Sequence, residues 1–121
     1  MSDRKLAEQR GHSSEGLAAL WLKLKGYRIL ERRLKTRAGE IDLVAAAPFG
    51  PVCFVEVKAR GLARSAAESV TVTQQTRIAR AASLYLASRP HLSRRGARFD
   101  IIAIAPHALP VHHRDVWQPE F

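Results

Sequence analysis

The sequence predicts a single α/β domain in which one mixed β-sheet is flanked by helices, in the order α-β-β-β-α-β with a weaker strand after it. Two stretches repeat apolar residues at helical spacing. Between them lie three apolar runs separated by turn residues, and a fourth strong run follows the second helical stretch. A chain of 121 residues has room for one such domain, spanning 1–121. The ends, 1–10 and 114–121, are expected to fray.

From about Ser13 to Lys25, Leu17, Leu20, Trp21 and Leu24 fall at i, i+3, i+4 and i+7. That spacing predicts a helix burying this face, with Ser13 or Ser14 as N-cap and Gly26 just past its end. The first strand is expected over Tyr27 to Leu34. Gly39 opens a second, in which Glu40-Ile-Asp-Leu-Val-Ala alternates before turning fully apolar. Pro48, Gly50 and Pro51 mark a turn. Val52 to Lys58 is nearly continuous Val, Phe and Cys, as expected of a central strand covered on both faces. After a loop around Gly61 to Ser69, a helix is expected from Val72 to Ser88, burying Ile78, Ala81, Ala82, Tyr85 and Leu86 and stopped by Pro90. Phe99 to Ile104 reads as a strand. Leu109 to His113 reads as a weaker one, confined to an edge by Pro110. Parallel pairing of the third and fourth strands would need a right-handed crossover.

Composition narrows the function. Lys+Arg 20 against Asp+Glu 11 gives +9, and fifteen of the basic residues are Arg, the side chain best suited to forked contacts with phosphate. A small domain this basic is expected to meet a polyanion. With 46% hydrophobic residues it can build a core, so disorder does not fit. The apolar stretch Leu43 to Val57 is too broken by Pro48, Gly50 and Pro51 to span a bilayer, so no membrane association is expected. The first residues have no apolar core for a signal peptide. Cys53 is the one cysteine, which excludes an intrachain disulfide and a cysteine-based zinc site. It reads as a core residue, and the cytoplasm is the expected compartment.

The chemistry-bearing residues are Glu40, Asp42, Glu56 and Lys58. Residues two apart in a strand share a face, so Glu40 pairs with Asp42 and Glu56 with Lys58. The two strands are joined by a short turn and should be antiparallel neighbours, which would bring three carboxylates and one ammonium to one patch. Charges in so apolar a strand are costly unless paired or given a ligand. Clustered carboxylates suit Mg²⁺ or Mn²⁺, and a nearby Lys can orient a water or stabilise a phosphate under attack. The competing reading is a set of cross-strand salt bridges, Glu40 with Lys58 and Asp42 with an Arg.

Gly39-Glu-Ile-Asp-Leu-Val, then Phe54-Val-Glu-Val-Lys-Ala-Arg, then Arg98-Phe-Asp closely resembles the YraN-like bacterial family. Its members are predicted nucleases similar to archaeal Holliday junction resolvases, built on the restriction-endonuclease-like fold. The resemblance covers about Gly11 to Ile104. It implies a metal-dependent DNA endonuclease in which Asp42 and Glu56 are metal ligands and Lys58 is the catalytic lysine. Glu15 matches a glutamate carried near the site; by spacing alone it shares a helix face with Ala18, Ala19 and Leu22, and first-turn capping is its other reading. Glu40 ranks below Asp42 and Glu56, as support or as a partner for Lys58. Asp100 reads equally as a structural ion pair. The chain departs from the family pattern in two places. Gln74 stands where relatives usually carry Lys, although Gln75 and Arg77 match, and Arg33-Leu34 stands where Asn followed by an aromatic is common.

Basic residues flank the acidic motifs: seven from Lys23 to Arg37 against Glu31 alone, and eight from Arg60 to Arg98 against Glu68 alone. Candidate nucleic-acid contacts are Arg60, Arg64, Gln75 and Arg77, with Arg94, Arg95 and Arg98 as further phosphate-binding candidates. Such contacts carry no base readout, so preference for DNA shape over sequence is expected. The His residues show no metal spacing, and His112-His113 is expected at the surface. Trp117 would either pack back or serve a homodimer, which would suit an enzyme cutting two strands. A nucleic-acid-binding module that keeps the nuclease fold without its chemistry is the alternative function.

Overall fold

The computed structural model describes residues 3–59 and 67–119, with side chains from Ser14 onward. Helix α1 (Asp3–Leu24) is followed by β1 (Arg28–Thr36), β2 (Gly39–Ala46) and β3 (Val52–Lys58). A short 3-10 turn (Ala67–Ser69) leads into α2 (Val72–Ala87) and a one-turn α3 (Pro90–Ser93), and β4 (Ala97–Ala103) and β5 (Val111–His113) complete the chain. The five strands lie in sequence order, antiparallel except for the parallel β3–β4 pair. The mixed sheet flanked by helices is therefore the architecture expected, with β5 at its edge.

The central strand divides the core by alternation. Val52 and Phe54 pack with Ile78, Ala81, Ala82 and Tyr85 of α2, while Cys53 and Val55 pack with Ala18, Ala19 and Leu22 of α1. Burial pushes the Cys53 thiol up to about 12, in keeping with a core residue rather than a nucleophile.

The first helix departs from the sequence reading. It begins at Asp3, so Ser13 and Ser14 lie inside it and not at its start. Its buried face is Ser14, Ala18, Ala19 and Leu22; Leu17, Leu20 and Leu24 are exposed by 50%, 53% and 73%, and Trp21 is only half-buried. Both faces are apolar, so periodicity alone does not choose between them. The small side chains of Ala18 and Ala19 let the helix backbone approach a sheet surface that is itself built partly of Ala45 and Cys53.

Helix α2 starts on a capping box. The Gln74 backbone N–H donates to Thr71 Oγ1 at 3.1 Å, and Gln74 Oε1 accepts from the Thr71 N–H at 2.9 Å. Pro90 ends α2 as expected, and then opens α3 from its first turn, where its missing N–H costs nothing. Beyond β5 the chain packs back on the sheet as far as Trp117. The Val116 N–H donates to the Phe99 carbonyl at 2.8 Å, and Trp117 stacks on Phe99 with ring centroids 5.3 Å apart.

His112 is a correction: its side chain is 1% exposed and Nε2 lies 2.8 Å from Asp100 Oδ2. Asp100 is fully buried and also takes Arg98 in a fork at 2.9 and 2.8 Å and the Asp115 N–H at 3.0 Å. These partners hold its carboxyl down at about 2 despite burial. Asp100 is thus the structural ion pair, and Arg98 is committed to it and to the Tyr27 hydroxyl at 2.7 Å. Among the described residues no helix is long and apolar enough to cross a membrane.

Candidate functional site

The site forms where β2 and β3 part. Their ladder runs from Ala46↔Val52 to Leu43↔Val55 and stops there. Continuing that register would place Asp42 opposite Glu56, but the backbones no longer pair. Instead Asp42 Oδ2 accepts the Val57 N–H at 2.8 Å, so a side chain fills the place of a strand neighbour. Meanwhile β3 stays in register with β4 as far as Lys58↔Ala103. One strand is thus held rigidly on its β4 side and opened on its β2 side, and the opening is lined by Asp42, Glu56 and Lys58, all half-buried.

Electrostatics mark the two carboxyls. Burial, and then the charge of Asp42, push Glu56 up to about 7; Glu15 adds to the rise and Lys58 opposes it. Asp42 is also raised by burial, against the stabilising Val57 N–H and Lys58. Each carboxyl lies within the other's electrostatic reach, and two anions so close oppose each other's ionisation unless a cation lies between them. Two carboxylates forced together in a partly buried cleft are a site that a divalent cation would relieve. Two acidic ligands, with water and phosphate oxygens completing the shell, suit Mg²⁺ or Mn²⁺. Among the described residues no group of three or more His, Cys, Asp or Glu side chains forms a metal cage. The residues therefore fit a cation shared with a phosphate, and not a closed structural site such as zinc prefers.

Glu15 projects from α1 toward this cleft with its side chain 14% exposed, and its Oε2 lies 3.6 Å from Arg33 Nε. It lies well inside the helix, so first-turn capping does not apply. Glu40 is exposed and reaches Asp42 only through its charge. It makes no ion pair with Lys58 among the described residues, so the cross-strand salt-bridge alternative is not the arrangement adopted.

The other candidate contacts divide. Arg77 is exposed on α2, its Cβ beside Gly39 at the entry of β2, and so flanks the same end of the sheet. The Gln75 amide is turned back to donate to the Val70 carbonyl at 3.1 Å. Arg95 donates to the carbonyls of Gly50 at 2.9 Å and Ala47 at 2.6 Å, tying down the β2–β3 turn. Arg94 is exposed at the end of α3. Arg60 and Arg64 lie outside the described residues. The sequence reading named Arg33 only as a departure from the Asn of the resembled family and gave it no role in the site; its backbone is left-handed (φ 56).

Comparison with known proteins places the chain in a family. The chain is 51% identical over 116 residues to a UPF0102 protein of Paramagnetospirillum magneticum, covering 93% of this chain and 89% of that protein. It is 47% identical over 114 residues to a UPF0102 protein of Agrobacterium fabrum, covering 94% and 93%. A UPF0102 protein of Rhodopseudomonas palustris is 51% identical over 106 residues, covering 88% and 81%. The model of the uncharacterised protein family UPF0102 matches residues 14–104, a span that contains Glu15, Asp42, Glu56 and Lys58, and the chain belongs to that family.

Proposed function

We propose that the protein is a divalent-metal-dependent DNA endonuclease that hydrolyses phosphodiester bonds in the cleft between β2 and β3. The observation that carries the reading is the crowded carboxyl pair, Asp42 and Glu56, with Lys58 two residues along the same rigid strand. The parallel β3–β4 pair and the order of elements are in keeping with the restriction-endonuclease-like fold that the sequence resembles.

In this reading Asp42 and Glu56 hold Mg²⁺ or Mn²⁺, with the Val57 N–H fixing the orientation of Asp42. The bound ion would supply Lewis acidity and a water of lowered pKa. Lys58 presents its ammonium to the non-bridging phosphate oxygens or to the attacking water, offsetting negative charge as the fifth oxygen approaches phosphorus. Charge at the mouth of the cleft, including Arg77, steers the DNA backbone in without reading bases. A junction cut on two strands would take two copies of the chain.

The test is cleavage of a four-way junction, a flap, single-stranded DNA and a linear duplex in Mg²⁺ or Mn²⁺, by wild type and Lys58→Ala. Wild type should cut at least one substrate, and Lys58→Ala should be slower by about 10²–10⁴-fold while binding DNA within a few-fold of wild type. Equal rates for the two proteins would refute the assignment of Lys58. Absence of cutting by either, with binding intact, would favour the second reading, a nucleic-acid-binding module. One observation favours that module: Gln74, where the resembled nucleases carry Lys, is consumed in the α2 capping box.

A further inference from the structure

Among the described residues Arg33 is the one non-glycine residue of a strand with a positive φ, at 56, and it is neither Asn nor Asp, the other residues that accept this conformation readily. Its place in the sheet is specific. The pairs Arg32↔Leu43 and Leu34↔Ile41 flank it, so Arg33 stands opposite Asp42 on the neighbouring strand. A regular strand would turn this side chain to one face of the sheet by simple alternation. The left-handed residue breaks that alternation, and Arg33 Nε comes within 3.6 Å of Glu15 Oε2, on the helix that borders the cleft. Glu15 is in turn one of the charges that Glu56 feels. The guanidinium is therefore at the rim of the Asp42–Glu56 cleft, and it is 50% exposed. At 3.6 Å, and with its guanidinium half in solvent, the pair with Glu15 is a weak contact and does not account for a strained backbone. Arginine has five donors in a planar fork, so one edge can stay with Glu15 while the other takes two oxygens of a phosphodiester.

We infer that Arg33 is a phosphate-contact residue of the site, held by its left-handed backbone to grip the DNA strand that enters beside Asp42. The inference rests on the nuclease reading and adds to it a residue that fixes where the backbone lies relative to the metal-binding carboxylates. A guanidinium anchored by Glu15 is pre-organised, so it grips phosphate with little loss of side-chain freedom. Asn accepts the left-handed conformation at lower cost, so Arg33→Asn removes the guanidinium without demanding a new backbone.

The experiment measures binding of a labelled four-way junction and a linear duplex across a salt series. It uses wild type, Arg33→Asn and Arg33→Lys in Ca²⁺ to suppress cutting, with a melting curve for each. Arg33→Asn should bind about tenfold more weakly, and the slope of log affinity against log salt should fall by about 0.9, the loss of one phosphate contact. Arg33→Lys should keep the slope, because it keeps the charge. The melting temperature of Arg33→Asn should stay level or rise by a few degrees as the backbone relaxes. An Arg33→Asn slope equal to wild type would overturn the inference while leaving the nuclease reading in place, and a lowered melting temperature with that same slope would assign Arg33 to the Glu15 ion pair alone. Wild type that binds neither DNA, or binds without salt dependence, would overturn both.

Discussion

Glu56→Gln separates the electrostatic account of the cleft from its function. Glu56 is pushed from an ordinary 4.5 to about 7, first by burial and then by Asp42. The folded protein therefore prefers the protonated carboxyl more strongly than the unfolded chain does. That preference has no effect on stability below about pH 4, where both states are protonated. It becomes a destabilisation as pH rises from 4.5 to 7, and it is complete above that. The full shift corresponds to about 3 kcal/mol, and solvent reaching this half-buried group reduces the expected value to roughly 1–3 kcal/mol. Gln keeps the volume and can still donate a hydrogen bond to Asp42, so the substitution removes the charge alone. Thermal melting of the metal-free proteins at pH 8 should show Glu56→Gln higher by about 4–10 °C, with the difference vanishing near pH 4. Equal melting temperatures at pH 8 would refute the reasoning, as would a gain of the same size at pH 4. A stabilising substitution at a proposed metal ligand is the expected mark of a residue kept for function at the expense of stability.

Two further outcomes follow from the fold. Asp100→Asn leaves the half-buried Arg98 guanidinium without its charge partner and weakens the hold on His112 and the Asp115 backbone, so urea unfolding should show a loss of about 2–4 kcal/mol. Leu22→Ala should cost about 2–5 kcal/mol, whereas Leu20→Ala on the exposed face of α1 should stay within about 0.5 kcal/mol. Equal effects of the two leucine substitutions in the same unfolding assay would contradict the orientation of α1.

What the sequence disclosed depended on how local its cause was. The limits of β3 and the start of α2 were legible because a nearly continuous apolar run follows Pro51 and a periodic one begins at Val72. The pairing of Asp42 with Glu56 followed from strand alternation and a short turn. The orientation of α1 did not, because Leu17, Leu20 and Leu24 make a stronger apolar stripe than Ala18, Ala19 and Leu22, and the choice was made by how closely the helix approaches the sheet. His112 was misread for a similar reason: only the position of β5 beside Asp100 buries it. Within the site, the break in the ladder after Val55 and the left-handed Arg33 are departures from regular strand geometry. They arise where the chain serves a cleft instead of a continuous sheet, and no periodic pattern encodes them.

The central claim is that Asp42 and Glu56 together hold a divalent cation. Direct titration of Mn²⁺, followed by electron paramagnetic resonance, tests it most simply on wild type, Asp42→Asn and Glu56→Gln at pH 8. The account predicts saturable binding by wild type and at least a tenfold weakening in each variant, with both variants still folded. Binding of equal strength in all three proteins would contradict it.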